Sequence, residues 1–216
     1  MCSLSTPMQM ARPILVTIPD LVGHGIQMLP AEVFLSSPWG GSFNVLRFRY
    51  DAHRQTLQES GQDLLEVLHA IKPISGLEPS FITTHGYGAL VLREALRSID
   101  WRDVRTRLVM VAPPNRGTLK PRWCLTANVA RTELQTLHDF DLDIRLGKLP
   151  RLTSALVIAG ARHFPWSQTS GPSDGVVSVA HTHMPGHYQH MTISAPHNLI
   201  MAHPSTLRLT RDFLLG

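Results

Sequence analysis

Three short stretches bring together residue types used in acyl-transfer and acid–base chemistry. The first is "THGYGA", Thr84 to Ala89, where an apolar run ends in His-Gly-Tyr-Gly and passes at once into an amphipathic segment. A strand that turns this sharply into a helix presents its central residue above the sheet, the position of a nucleophilic serine in many such bends. Here the centre is Gly86, and a glycine has no oxygen with which to attack a carbonyl. The second stretch is "SGPSDGVVSV", containing Asp174, and the third is "SAPHNLIM", containing His197. Along the chain the order is nucleophile position, acid, histidine. In that arrangement Asp174 orients the imidazole and His197 acts as a general base.

Elements on either side must bring these stretches together. "PILVTI" reads as a buried strand bounded by Pro13 and Pro19, and "LPAEVFLSS" as a short helix with Pro30 in its first turn. "FNVLRFRY" is a second strand. "RQTLQESGQDLLEVLHAI" sets Leu57, Gly61, Leu64, Leu65, Leu68 and Ile71 on one helical face. "SFITT" is a third strand, followed by a helix from Gly88 that aligns Ala89, Leu92, Leu96 and Ile99. "TRLVMVAPP", "SALVIAG" and "YQHMTIS" supply three more strands, and "PSTLRLTRDFLL" the last helix. Strands alternating with helices imply an α/β fold, a mostly parallel sheet with helices on both faces. Residues 1–12 read as a disordered tail and 13–216 as a single domain. The alternation is interrupted over 118–149, where "TANVARTELQTLHDF" reads as a helix of a small cap insertion. Ligands of such sheets bind beyond the carboxyl ends of the strands, where all three stretches fall.

Composition narrows the classes. Charged residues are 17% of the chain, below the ~25% of typical soluble domains. The net charge is +4, with arginines such as Arg93, Arg97, Arg102 and Arg116 spread out rather than gathered. This reads as a weakly basic surface, and no nucleic-acid motif accompanies it. The only cysteines are Cys2 and Cys124, which argues against a structural disulfide and suits a reducing compartment. The opening residues make a poor signal peptide, and no apolar run approaches a membrane span, so a cytoplasmic protein is expected. His163, His181, His183, His187, His190, His197 and His203 crowd the last third of the chain. With no cysteine pair or His-Glu helix beside them, they read as solvated loop residues and not as a metal site. Trp123 and Trp166 read as ordinary packing near the cap.

Four motifs carry a resemblance. "HGYGA" from His85, "APPNRG" from Ala112 to Gly117, "GPSDGVVSV" from Gly171 to Val179, and "HNLIM" from His197 succeed one another at the expected places. Together they resemble the α/β-hydrolase superfamily, in particular its small lipase- and esterase-like branch, over nearly the whole chain from about Ile14. The resemblance implies an α/β-hydrolase fold, a triad at positions 86, 174 and 197, no cofactor, and room for a small apolar ester-like or acyl ligand. It also implies an oxyanion hole made by the Tyr87 amide and by the loop after the first strand.

Two departures fall on the chemistry. Gly86 stands where the family has serine, although glycine suits the strained bend sterically. After the first strand the family has His-Gly, whereas this chain has Pro19-Asp20-Leu21. Proline has no N–H to donate, and an Asp20 carboxylate would repel a developing oxyanion. His85 reads as structural, and Thr83 and Thr84 are expected to point into the sheet layers. The leading expectation is a catalytically impaired relative that binds a ligand or a partner. The alternatives are an ester hydrolase whose serine at position 86 was replaced, or an enzyme running on the His197–Asp174 dyad alone. Metal binding ranks last.

Overall fold

Ile14–Ile18 is an apolar run without polar alternation apart from Thr17, and it folds as strand β1, buried at every residue after Ile14. The computed structural model describes residues 12–21, 25–52, 54–71, 79–118, 142–162 and 171–216. In them β1 is followed by α1 (Leu29–Ser36), β2 (Asn44–Arg47), α2 (Leu57–Ile71), β3 (Ser80–His85), α3 (Gly88–Ala95) and β4 (Thr106–Val111). Then come α4 (Leu142–Leu146), β5 (Thr153–Gly160), β6 (Gln189–Ile193) and α5 (Pro204–Leu215). Each strand and helix expected in this range is present. The second strand is shorter than its apolar pattern. The expected tail up to residue 11, the helix "TANVARTELQTLHDF", Trp123, Trp166, His163 and both cysteines lie outside the described residues.

The six strands form one sheet in the order β2-β1-β3-β4-β5-β6, and every pairing is parallel. Alternate side chains of each strand feed opposite faces. Val16 and Ile18 of β1 join Ile82, Leu108 and Met110 in a core shared with Leu64 and Leu68 of α2 and Leu90 of α3. Leu15, Val109, Val111 and Ile158 face the other way, onto Ala31 and Leu35 of α1 and Leu214 of α5. Helices thus cover both faces. Strand order reverses between β1 and β3, since β1 leads outward to β2 and β3 leads the other way to β4. That reversal opens a crevice at the carboxyl ends of these two strands, and Asp20 and Gly86 flank it.

Arg93 departs from the expected basic surface. It is 2% exposed, on the helix that follows the bend. Its guanidinium donates to Asn115 Oδ1 at 3.0 Å, to the Gly147 carbonyl at 2.8 Å and to the Asp143 carbonyl at 3.3 Å. Burial pulls its pKa down to about 10, which still leaves it charged at neutral pH. Asn115 in turn donates to the Thr182 carbonyl at 2.7 Å. Asn115 of the "APPNRG" stretch therefore links α3 to the turn at Thr182. Among the described residues no helix is long and apolar enough to cross a membrane.

Replacing Arg93 with methionine keeps its length but takes the guanidinium donor from the buried Asn115 Oδ1 and from the part-buried Gly147 carbonyl. Urea unfolding should show Arg93→Met less stable by about 3 kcal/mol, while Arg97→Met, an exposed pair with Glu94, should change by about 0.5 kcal/mol or less.

Candidate functional site

The bend after β3 has the shape its sequence implies. Gly86 sits at φ +51°, in the left-handed region, and α3 begins two residues later. Gly88 serves a different need. A Cβ there would lie 2.5 Å from the Pro19 carbonyl oxygen and 2.6 Å from that of Ile18. Its absence lets the start of α3 press against the end of β1. Tyr50 donates its hydroxyl to the Pro19 carbonyl at 2.8 Å and steadies the same turn. The close approach delivers Asp20 to the bend.

Asp20 lies where a nucleophile's side chain would be. A Cβ built on Gly86 falls onto the Asp20 carboxylate, nearer to its carbon and Oδ1 than unbonded atoms come. Asp20 Oδ1 accepts the Tyr87 N–H at 2.8 Å. That amide is the donor the sequence reserved for an oxyanion. Instead of merely repelling charge from the neighbourhood, the carboxylate itself occupies the donor. Burial opposes its ionisation. The hydrogen bond and charge of His197, with help from the Leu21 backbone amide, outweigh that and hold its pKa below the usual value.

Asp174 and His197 come together from the two loops that carry them. Asp174 Oδ1 accepts the Val176 and Val177 amides at 2.9 and 2.8 Å, an Asx-type turn that fixes the carboxylate. Its Oδ2 lies 2.7 Å from His197 Nδ1, and its carbonyl accepts the His197 amide at 3.0 Å. Gly160, at the end of β5, makes room for this loop, because a Cβ there would lie 2.7 Å from that of Asp174 and 2.6 Å from the Ala195 carbonyl oxygen. His197 Nε2 lies 3.2 Å from Asp20 Oδ2. Burial would lower the His197 pKa, but Asp174 by charge and hydrogen bond, joined by Asp20, raises it to about 10. The resting site is an imidazolium held between two carboxylates.

His85 borders the same cluster. It is fully buried, neither ring nitrogen makes a well-formed hydrogen bond although the His197 backbone is in polar contact, and its ring centroid lies 4.7 Å from that of His197. Burial, followed by the charge of His197, lowers its pKa to about 4, so it is neutral. Its position directly before the bend was the available signal. A ligand atom from each of Asp20, His85 and His197 lies within 4.8 Å of the other two.

The remaining candidates are placed plainly. The Tyr87 ring is 1% exposed within the α2–α3 core and stacks on Tyr50 at 6.2 Å, so it is packing. Leu21 is half-buried against the same core. Thr83 and Thr84 are fully buried, with hydroxyls that find no partner. The C-terminal histidines are mostly engaged rather than solvated. His183 and His190 stack at 4.2 Å, His183 Nδ1 lies 2.8 Å from the Tyr188 hydroxyl, and His203 caps α5 by accepting the Ser205 amide. Among the described ones, His197 reaches the site. "HTH" is not extended, because Val179–Thr182 forms a 3-10 turn.

No family profile matches the sequence, and no curated protein matches it. Solved structures do. The mature lipase BlEst2 of Bacillus licheniformis superposes with a TM-score of 0.75 at 14% identity, over 98% of this chain and 94% of that one. The metagenomic carboxyl esterase MGS0156 gives 0.68 at 17% identity, over 95% and 74%. The enol-lactonase of Burkholderia xenovorans gives 0.61 at 14%, over 95% and 92%. The chain has the α/β-hydrolase fold, as the motif resemblance implied.

The charge triplet has a pH signature. The His197 pKa is raised from 6.5 to about 10, so its contribution to stability is complete below 6.5 and is lost as the pH rises through about 10. Asp20→Asn removes one of the two charges that raise it. In metal-free protein, nitrogen-detected NMR should show the His197 imidazolium persisting at pH 8 in the parent chain and titrating at lower pH in Asp20→Asn.

Proposed function

We propose that this protein is a lipase- and esterase-like relative that has given up serine acyl transfer and keeps its site as a closed, charge-balanced binding centre. The observation that carries this reading is the Asp20 carboxylate, seated in the nucleophile space and on the Tyr87 amide. It resembles a product carboxylate that is part of the chain: one oxygen on the oxyanion donor, the other on the histidine. A serine esterase needs three things here. It needs an attacking oxygen, a free oxyanion amide and an unprotonated imidazole. Gly86 lacks the first and Asp20 takes the second. His197, which keeps its proton up to about 10, lacks the third at neutral pH. The last point also weighs against general-base catalysis by the His197–Asp174 dyad alone. The neighbours in fold named as lipase, carboxyl esterase and enol-lactonase make a small apolar ester-like or acyl compound the ligand class to test.

The reading is tested with short p-nitrophenyl esters and a fluorophosphonate probe. The parent chain should neither hydrolyse nor label. Gly86→Ser alone should also stay silent, since Asp20 holds the Tyr87 amide and stands where the serine side chain must go. Asp20→Ala combined with Gly86→Ser should label, and should exceed the single variant in turnover by about 100-fold or more. Ester turnover by the parent chain that disappears in His197→Ala would overturn the proposal.

A further inference from the structure

We propose that Asp20, His85 and His197 form a binding site for one divalent first-row transition metal ion, with Asp174 holding His197 in place from behind. The inference rests on the reading of Asp20 as the occupant of the nucleophile space. A serine side chain at position 86 would claim the same space as that carboxylate.

Three independent observations converge. The first is the donor set. Two imidazole nitrogens and one carboxylate oxygen, drawn from the ends of β1 and β3 and from the turn His197–Ala202, have ligand atoms within 4.8 Å of one another. It is the one cluster of this kind among the described residues. His197 Nε2 and Asp20 Oδ2 are 3.2 Å apart, near the ~3.4 Å edge of a tetrahedron around an ion with bonds of about 2.1 Å. The second is His85, a fully buried imidazole beside that pair whose nitrogens make no well-formed hydrogen bond, the His197 backbone being a polar contact short of one. Buried polar groups without partners are rare and ask for an explanation, and a metal ion supplies the missing contact. The third is Asp174. A metal-bound histidine usually gives its other ring N–H to a carboxylate, which fixes the ring. His197 has that contact at 2.7 Å, and the carboxylate is itself fixed by two backbone amides.

The chemistry of the donors sets the ion. Imidazole with carboxylate suits zinc and its open-shell neighbours, whereas magnesium and calcium prefer oxygen-only sites. Binding requires the lone pair on His197 Nε2, so the proton it shares with Asp20 leaves to solvent. Asp20 keeps 15% side-chain exposure against 4% for His197, so the ion enters along the Asp20 edge.

The test is calorimetric titration of Zn2+ into chelator-stripped full chain, with melting temperature as a second readout. One equivalent should bind and raise the melting temperature. His85→Phe, which keeps an aromatic ring but no ligand nitrogen, and Asp20→Asn, which keeps the side chain's size but not its charge, should each weaken binding by about 100-fold or more. Asp174→Asn should weaken it by about 10- to 100-fold. His183→Asn with His190→Asn, the stacked pair outside the site, should leave it unchanged. Absence of Zn2+ binding, or binding that survives His85→Phe and Asp20→Asn but disappears with the His183/His190 pair, overturns the site. Either result leaves the ester and fluorophosphonate assays standing as a separate test of the vacated nucleophile.

Discussion

The hydrogen bond from the Tyr87 amide to Asp20 Oδ1 organises the crevice. The space in front of that amide holds one group. Because Gly86 lacks a Cβ, the space is filled from the end of the neighbouring strand instead of from the bend itself. Loss of a side chain at one position and arrival of a carboxylate from another are thus a single exchange of volume. The exchange needs a short path between the ends of β1 and β3, which adjacent parallel strands provide. It also needs Gly88, whose missing Cβ lets helix and strand end touch.

Once Asp20 is there, electrostatics decides the state of its neighbours. An imidazole deep in the protein would ordinarily give up its proton. His197 keeps its own because carboxylates face both ring nitrogens. His85 lies as deep without a carboxylate on either nitrogen, and it stays neutral. Two buried histidines whose ring centroids are 4.7 Å apart therefore hold opposite protonation states. Breaking one side of such a charge-balanced group is costly, because the remaining charge cannot reach water. The same argument explains why Asp174 is held by two backbone amides in addition to the histidine.

Support for the site comes from residues well outside it. Arg93 and Asn115 bind α3 to the loops at Gly147 and Thr182, so the helix that carries the bend is anchored on the side away from the crevice. Gly160 performs the corresponding service for the acid loop. These contacts account for sequence motifs that otherwise look catalytic: "APPNRG" is a brace, and its asparagine meets an arginine buried on the next layer.

Much of this was legible in the chain. Local periodicity and turn residues determine the strands and helices, because the burial of a strand or a helix face is written in consecutive side chains. The order bend, acid, histidine placed Gly86, Asp174 and His197 at the ends of strands that must share one edge of a parallel sheet. The identity of Gly86 alone determines that no serine attacks from there. What only the tertiary structure decided is where Asp20 and His85 point. Asp20 lies sixty-six positions before Gly86 in the numbering, and whether its carboxylate flanks the oxyanion donor or occupies it depends on an approach of a few ångströms between two strand ends. Arg93 looked like a surface charge, since one arginine in a helix says nothing about the loops folded over it. Local pattern specifies which face of an element is buried; it does not specify which distant polar atoms meet there, and in this crevice the chemistry depends on that meeting.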